Sequence, residues 1–235
     1  MARAFWAAEL IGQPDDLADW ETSFGGPFEP RVEQVVAHGA TKTILKSAEF
    51  EKMRTASEVR ERARLIIENL NGALRALSGT GRVELGGVLE VDTDGRVANN
   101  YVFAEGVVKG RARVRGVGGN RPITPQPSTA QKWIACAMTN DVVADMLIHF
   151  GKEPSWYDLY KTYEGVRDLC GGEASLKKKS WVPPKLKSFT HTANYYRHGL
   201  GHPAKKNPPS NPMSLKEATE LIAGMVCSIM SELAP

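Results

Sequence analysis

The 235-residue chain is long enough to bury one large core or two small ones, and its 42% apolar and 24% charged composition argues against disorder as the overall state. Its three cysteines, Cys136, Cys170 and Cys227, are odd in number and far apart, which argues against a disulfide framework or a CxxC zinc site and fits a reducing cytoplasm. The net charge of +3 hides an asymmetry: from Glu173 to Lys216 nine Lys and Arg face Glu173 alone, so this segment carries +8 and the rest −5. Such a balance suits a phosphate-rich partner, although a solvated loop kept soluble by its lysines has the same composition.

The start, MARAFWAAELIGQPDD, is interrupted by Glu9 and Pro14 and makes a poor signal peptide. No window reaches the roughly 18 apolar residues of a membrane span, so a soluble, cytoplasmic protein with no membrane partner is expected. Phe5–Ile11 reads as a strand, residues 15–24 (DDLADWETSF) as a turn or short helix, and residues 41–46 (TKTILK) as a second strand. Thr55-Ala56-Ser57-Glu58 is a capping box. Val59, Ala63, Ile66, Ile67, Leu70, Leu74 and Leu77 then recur at helical spacing, predicting a helix over 57–77 with Glu58, Arg60, Glu61, Arg62 and Arg64 on its wet side.

Residues 82–91 and 97–108 read as strands joined by the hairpin turn Asp92-Thr93-Asp94-Gly95. Residues 107–117 (VVKGRARVRGV) alternate apolar and basic, as a further strand or the far half of a long one. Residues 121–128 (RPITPQPS) hold three prolines in eight and read as a linker. Amphipathic helices are expected over 129–138, 139–150 and 155–169, the third ended by Gly171-Gly172. A basic stretch over 177–187, the segment 188–197 and a loop to Pro212 follow. Ser214 opens the final helix with the capping box SLKE, and Leu215, Ala218, Leu221, Ile222, Met225, Ile229 and Leu233 form its apolar face. The fold class is α+β: a small N-terminal domain over 1–120 with an antiparallel sheet and one long helix, the linker over 121–128, and an all-helical domain over 129–235.

The chemical candidates narrow quickly. The run Gly116-Val117-Gly118-Gly119-Asn120 lacks the GK[ST] ending of a phosphate loop and reads as a turn. Among Trp156, Tyr157, Tyr160 and Tyr163, spacings of three and four place several on one helical stripe, which reads as packing rather than as a base-binding face. Asp92 with Asp94 and Asp15 with Asp16 are explained by turn and helix-start preferences. His191, His198 and His202 invite a zinc reading, but Gly199, Gly201 and Pro203 interrupt the helix it would need and no cysteine or acid stands nearby. Asn194 before a turn is expected to bond its own backbone, and Thr192 is ambiguous in the same way. His198 is either a polar partner that holds Arg197 or a plain capping or hydrogen-bonded loop histidine.

Arg197-His198-Gly199-Leu200-Gly201-His202 fits the pattern RxxxxH. Metal-independent RNA cleavage needs a proton-transfer group near neutral pH and a fixed cation for the charge that builds on the phosphorane, which histidine and arginine supply. With its place before the last long helix, the pattern resembles the HEPN superfamily of helical-bundle ribonucleases found in toxin, abortive-infection and CRISPR systems. The string FTHTANYYRHG, followed by NPMSLKEATELI, is also similar to a family of uncharacterised bacterial proteins often found with mobile elements. The resemblance, covering about 129–235, implies a HEPN-like bundle that pairs as a homodimer and acts as an endoribonuclease in bacterial defence. His202 would be the general acid/base, Arg197 the transition-state cation and His198 their support. Lys177, Lys178, Lys179, Lys185, Lys187, Lys205 and Lys206 would bind the RNA backbone. No cofactor is called for. The alternative is a non-catalytic HEPN-like interaction or nucleic-acid-binding protein of a mobile element.

Overall fold

A computed structural model describes residues 5–37, 39–92, 96–102, 126–199 and 201–234. The predicted strand over 107–117, the glycine run Gly116–Asn120, residues 103–108 of the strand expected over 97–108, residues 93–95 of the hairpin turn and residues 121–125 of the proline-rich segment lie outside the described residues. The chain divides into two compact units, Met1–Ile67 with Thr80–Lys132 and Glu68–Gly79 with Trp133–Pro235. The second stretch of the long predicted helix thus belongs with the helical region.

In the first unit, β1 (Phe5–Ile11), β2 (Arg31–Ala37), β3 (Ala40–Lys46), β4 (Glu84–Val91) and β5 (Val97–Val102) form an antiparallel sheet of order β2-β3-β1-β4-β5. Strand side chains alternate between faces, and Ala7 and Ala8 of the central strand are both fully buried, so both faces of the sheet centre are covered. On one face Ala7, Ile44, Leu89 and Val91 form an apolar cluster. On the other lies α1 (Pro14–Phe24), whose Glu21 accepts from Gln34 and Thr43, a pair set directly opposite each other by the β2–β3 register. β2 has no counterpart among the predicted strands, although RVEQVVA after Pro30 carries β-branched residues. Asp16 does not cap α1. It is buried, and its Oδ1 accepts from the Gly81 N–H at 2.7 Å.

The helix α2 (Ala56–Ser78) starts at the expected box, with the Thr55 hydroxyl accepting from the Glu58 N–H and the Glu58 carboxylate from the Thr55 N–H. Leu77 falls outside its buried face at 38% exposure. In the helical unit α2 meets α4 (Asp141–Gly151), where a Cβ on Gly72 would come within 2.0 Å of the Leu147 carbonyl oxygen, so only glycine fits the crossing. The other helices are α3 (Thr129–Ala137), α5 (Trp156–Leu169), α6 (Glu173–Leu176), α7 (Leu186–Arg197) and α8 (Leu215–Leu233). Ser128 and Gln131 cap α3 reciprocally, and Ser214 and Glu217 form the box that starts α8. α5 packs against α4, α7 and α8 and buries Leu159, Thr162, Tyr163 and Val166. On α8, Ala218, Ile222, Met225 and Ile229 are buried with Val226 and Met230, whereas Leu233 is exposed. No helix among the described residues is long and apolar enough to cross a membrane.

Candidate nucleic-acid interface

α7 buries Leu186, Phe189, Thr192 and Ala193. Arg197, four residues beyond Ala193, continues that stripe and leaves the core where the helix ends. Its guanidinium carbon stands 3.6 Å from the centre of the Tyr160 ring on α5, and its Nε donates to Asn194 Oδ1 at 3.0 Å. Asn194 therefore holds the arginine instead of bonding its own backbone. The terminal guanidinium nitrogens have no protein partner among the described residues. Thr192 is settled too: buried on α7, its hydroxyl accepts from the Met213 N–H just before α8.

The RxxxxH residues do not share a helical turn, because α7 stops at Arg197 and His198 is already extended. The His202 N–H donates back to the Gly199 carbonyl at 3.0 Å, which folds the chain over itself. As a result the His198 and His202 rings lie parallel, with centres 3.6 Å apart and planes inclined by 7°. His202 then caps a single 3-10 turn, Pro203–Lys206, by accepting the Ala204 N–H on Nδ1 at 3.1 Å. An accepting Nδ1 places the proton of the neutral ring on Nε2, which is left as a donor. His198 is the C-cap residue of α7, and its ring stacks on that of His202.

Desolvation pushes the His198 imidazole below its ordinary value of 6.5, and His202, Arg197 and Lys205 push the same way. These neighbours are all cationic or imidazole, which disfavours the imidazolium and suits the surface to an anion. Lys205 Nζ sits 4.2 Å from the centre of the Tyr195 ring and 5.8 Å from that of Tyr196. Tyr196, 47% exposed, stacks on Trp156 at 5.5 Å and 17°. Of the four aromatics read as packing, only Tyr163 is buried, and Tyr157 is 52% exposed.

The other expected site residues are dispersed. His191 is exposed and its Nε2 bonds the Asn207 carbonyl at 3.0 Å. It lines, with Lys187, Ser188, Pro209, Ser210 and Asn211, an open depression of about 310 Å³. No group of three or more His, Cys, Asp or Glu among the described residues is placed to hold a metal ion. Lys177 pairs with Glu173 at 3.2 Å and Lys179 with Glu232 at 2.5 Å. Lys185 lies close enough to lower the Glu217 carboxyl, behind the stronger pull of the Ser214 N–H and hydroxyl. Glu217 and Glu232 stand at opposite ends of α8, roughly 22 Å apart at 1.5 Å per residue, so the lysines split into two groups. Lys178 and Lys206 are exposed.

Spacing had also left one polar cluster unread. His149 Nδ1 bonds Asp158 Oδ1 at 2.8 Å, Ser155 donates its hydroxyl to Asp158 Oδ2 at 2.6 Å, and Lys152 stands 3.5 Å from the same carboxylate. The Ser155-x-x-Asp158 spacing at a helix start was the available signal. Comparison with protein-family models, curated proteins and solved structures finds no match for this chain.

Proposed function

We propose that the helical unit binds RNA at the Arg197–His202 surface and cleaves it without a metal ion, as a HEPN-like endoribonuclease working as a homodimer in bacterial defence. The observation that carries the reading is the stacked His198–His202 pair beside an arginine whose terminal nitrogens have no protein partner among the described residues. Arg197 would take the non-bridging phosphate oxygens and the charge that grows on them. The Ala204 N–H occupies Nδ1 of His202, leaving this ring a hydrogen-bond donor through Nε2. In this proposal the acid–base role passes to His198. Its neutral ring removes the proton from the ribose 2′-hydroxyl as that oxygen bonds to phosphorus. The bond from phosphorus to the 5′-oxygen breaks, the imidazolium returns the proton to that oxygen, and a 2′,3′-cyclic phosphate and a 5′-hydroxyl result.

The second reading, binding without cleavage, is favoured by the exposure of His202. Incubation with single-stranded and structured RNA in EDTA separates the two. Cleavage by the natural protein that is lost in Arg197→Ala and His198→Ala supports the enzyme. Retention of intact RNA by all of these proteins supports the binding module, and no interaction with RNA at all sinks both.

A further inference from the structure

A phosphate seat alone does not tell one nucleic-acid strand from another, and the structure places a second recognition element beside it. Tyr196 immediately precedes Arg197 and follows Tyr195 at the end of α7. Trp156 supports one face of the Tyr196 ring at 5.5 Å and 17°, and Tyr195 meets the ring edge-on at 5.1 Å and 89°. The ring is thereby fixed in orientation, yet 47% of the residue remains exposed. Trp156 takes one face, and the flexible Lys205 side chain places its Nζ over the ring, 5.8 Å from the centre. An aromatic ring oriented by a second aromatic, left half-exposed and covered only by a mobile lysine is suited to stacking a flat ring once that lysine moves aside.

Its surroundings point to a nucleobase rather than a protein side chain. Lys205 stands 5.8 Å from the centre of the Tyr196 ring, and Arg197 and the two imidazoles follow in sequence and space. The surface therefore offers an aromatic plane, then a row of cations and donors, which is the order of groups in a nucleotide: base, then phosphate. Resting on the RNA reading above, we propose that Tyr196, backed by Trp156, is a nucleobase-stacking subsite that holds the base adjoining the phosphate on Arg197. A base can reach the ring only when it is outside a duplex stack, so the subsite selects unpaired positions.

The test compares binding of a fluorescent single-stranded RNA dodecamer, the same strand with two central abasic positions, and the corresponding duplex, measured by anisotropy in EDTA at low salt. The proteins are the natural chain, Tyr196→Ala, Tyr196→Phe and Arg197→Ala. Tyr196→Ala should weaken binding of the intact strand roughly 5- to 100-fold, the range for one stacked base, while Tyr196→Phe stays within about twofold. The abasic strand should bind the natural protein about as weakly as the intact strand binds Tyr196→Ala, and the duplex should bind more weakly than the single strand. Equal binding of intact and abasic strands, or no effect of Tyr196→Ala while Arg197→Ala still weakens binding, overturns the stacking subsite and leaves the RNA reading standing. Failure of the natural protein to bind any of the three nucleic acids overturns both.

Discussion

Two histidine settings in the helical unit differ in what surrounds them. His149 ends α4 with a carboxylate in contact, and that carboxylate is itself shared with Ser155 and Lys152. Burial acts to raise the Asp158 carboxyl, but the Ser155 and His149 hydrogen bonds and the Lys152 charge outweigh it and hold the group below 3.8. Every charge there has a partner inside the fold. His198 and His202 lie among Arg197 and Lys205, and the groups that shift His198 include no carboxylate. The first setting closes the join between two helices; on the proposed function, the second is completed by an anion from outside.

Substitutions should separate the two along that line. Arg197→Ala is expected to have the largest effect, a loss of about 10²- to 10³-fold in RNA cleavage rate, as for removal of a donor to transition-state charge, with stability lowered by only about 1 kcal/mol through the lost Tyr160 and Asn194 contacts. Asp158→Asn should do the opposite, lowering stability by about 2 kcal/mol in urea unfolding and leaving RNA affinity within twofold; an equal loss in both would dissolve the distinction. Tyr160→Leu keeps an apolar filler but removes the ring under the guanidinium, and a two- to fivefold weaker RNA affinity is expected from titration at low salt. The smallest effect belongs to Lys179→Ala, whose lysine is already paired with Glu232, and should stay within about twofold at any salt concentration.

The pH responses run in different windows. Asp158 has a folded value below 3.8, so its contribution to stability is present above pH 3.8 and lost as pH falls through the folded value. His198 is also depressed, so between pH 6.5 and its folded value the unfolded chain takes up the proton first and stability falls with falling pH. A bound phosphate reverses the preference of that ring by favouring the imidazolium. RNA affinity should therefore rise as pH drops below 6.5, and His198→Gln should flatten the slope; an equally steep slope in the variant would remove His198 from the site.

Much of the fold could be read because its signals are local. The boxes at Thr55 and Ser214 mark helix starts within about a residue, since a side chain and a backbone N–H three positions apart decide them. The antiparallel pairing of β4 with β5 is equally short-range. β2 escaped because its pattern RVEQVVA mixes polar residues that are placed only by the neighbouring β3 and by Glu21 of α1. Leu77 and Leu233 show the same limit from the other side, since apolar spacing names a face but not where that face runs out of neighbours.

At the candidate site, sequence supplied the residue types and their order: an arginine, two histidines and glycines between them. It also supplied the charge of the segment, because composition needs no geometry. Only the tertiary structure decided that Arg197 rests on Tyr160, that Asn194 holds its Nε, and that a turn from Gly199 stacks His202 on His198. It also separated His191 from the pair and divided the lysines along α8. The physical reason is that, apart from the i,i+3 pair Asn194–Arg197 within α7, these contacts join groups from different elements or close a turn around glycine. Their energies depend on which surfaces face each other, a property that helical spacing within one segment does not carry.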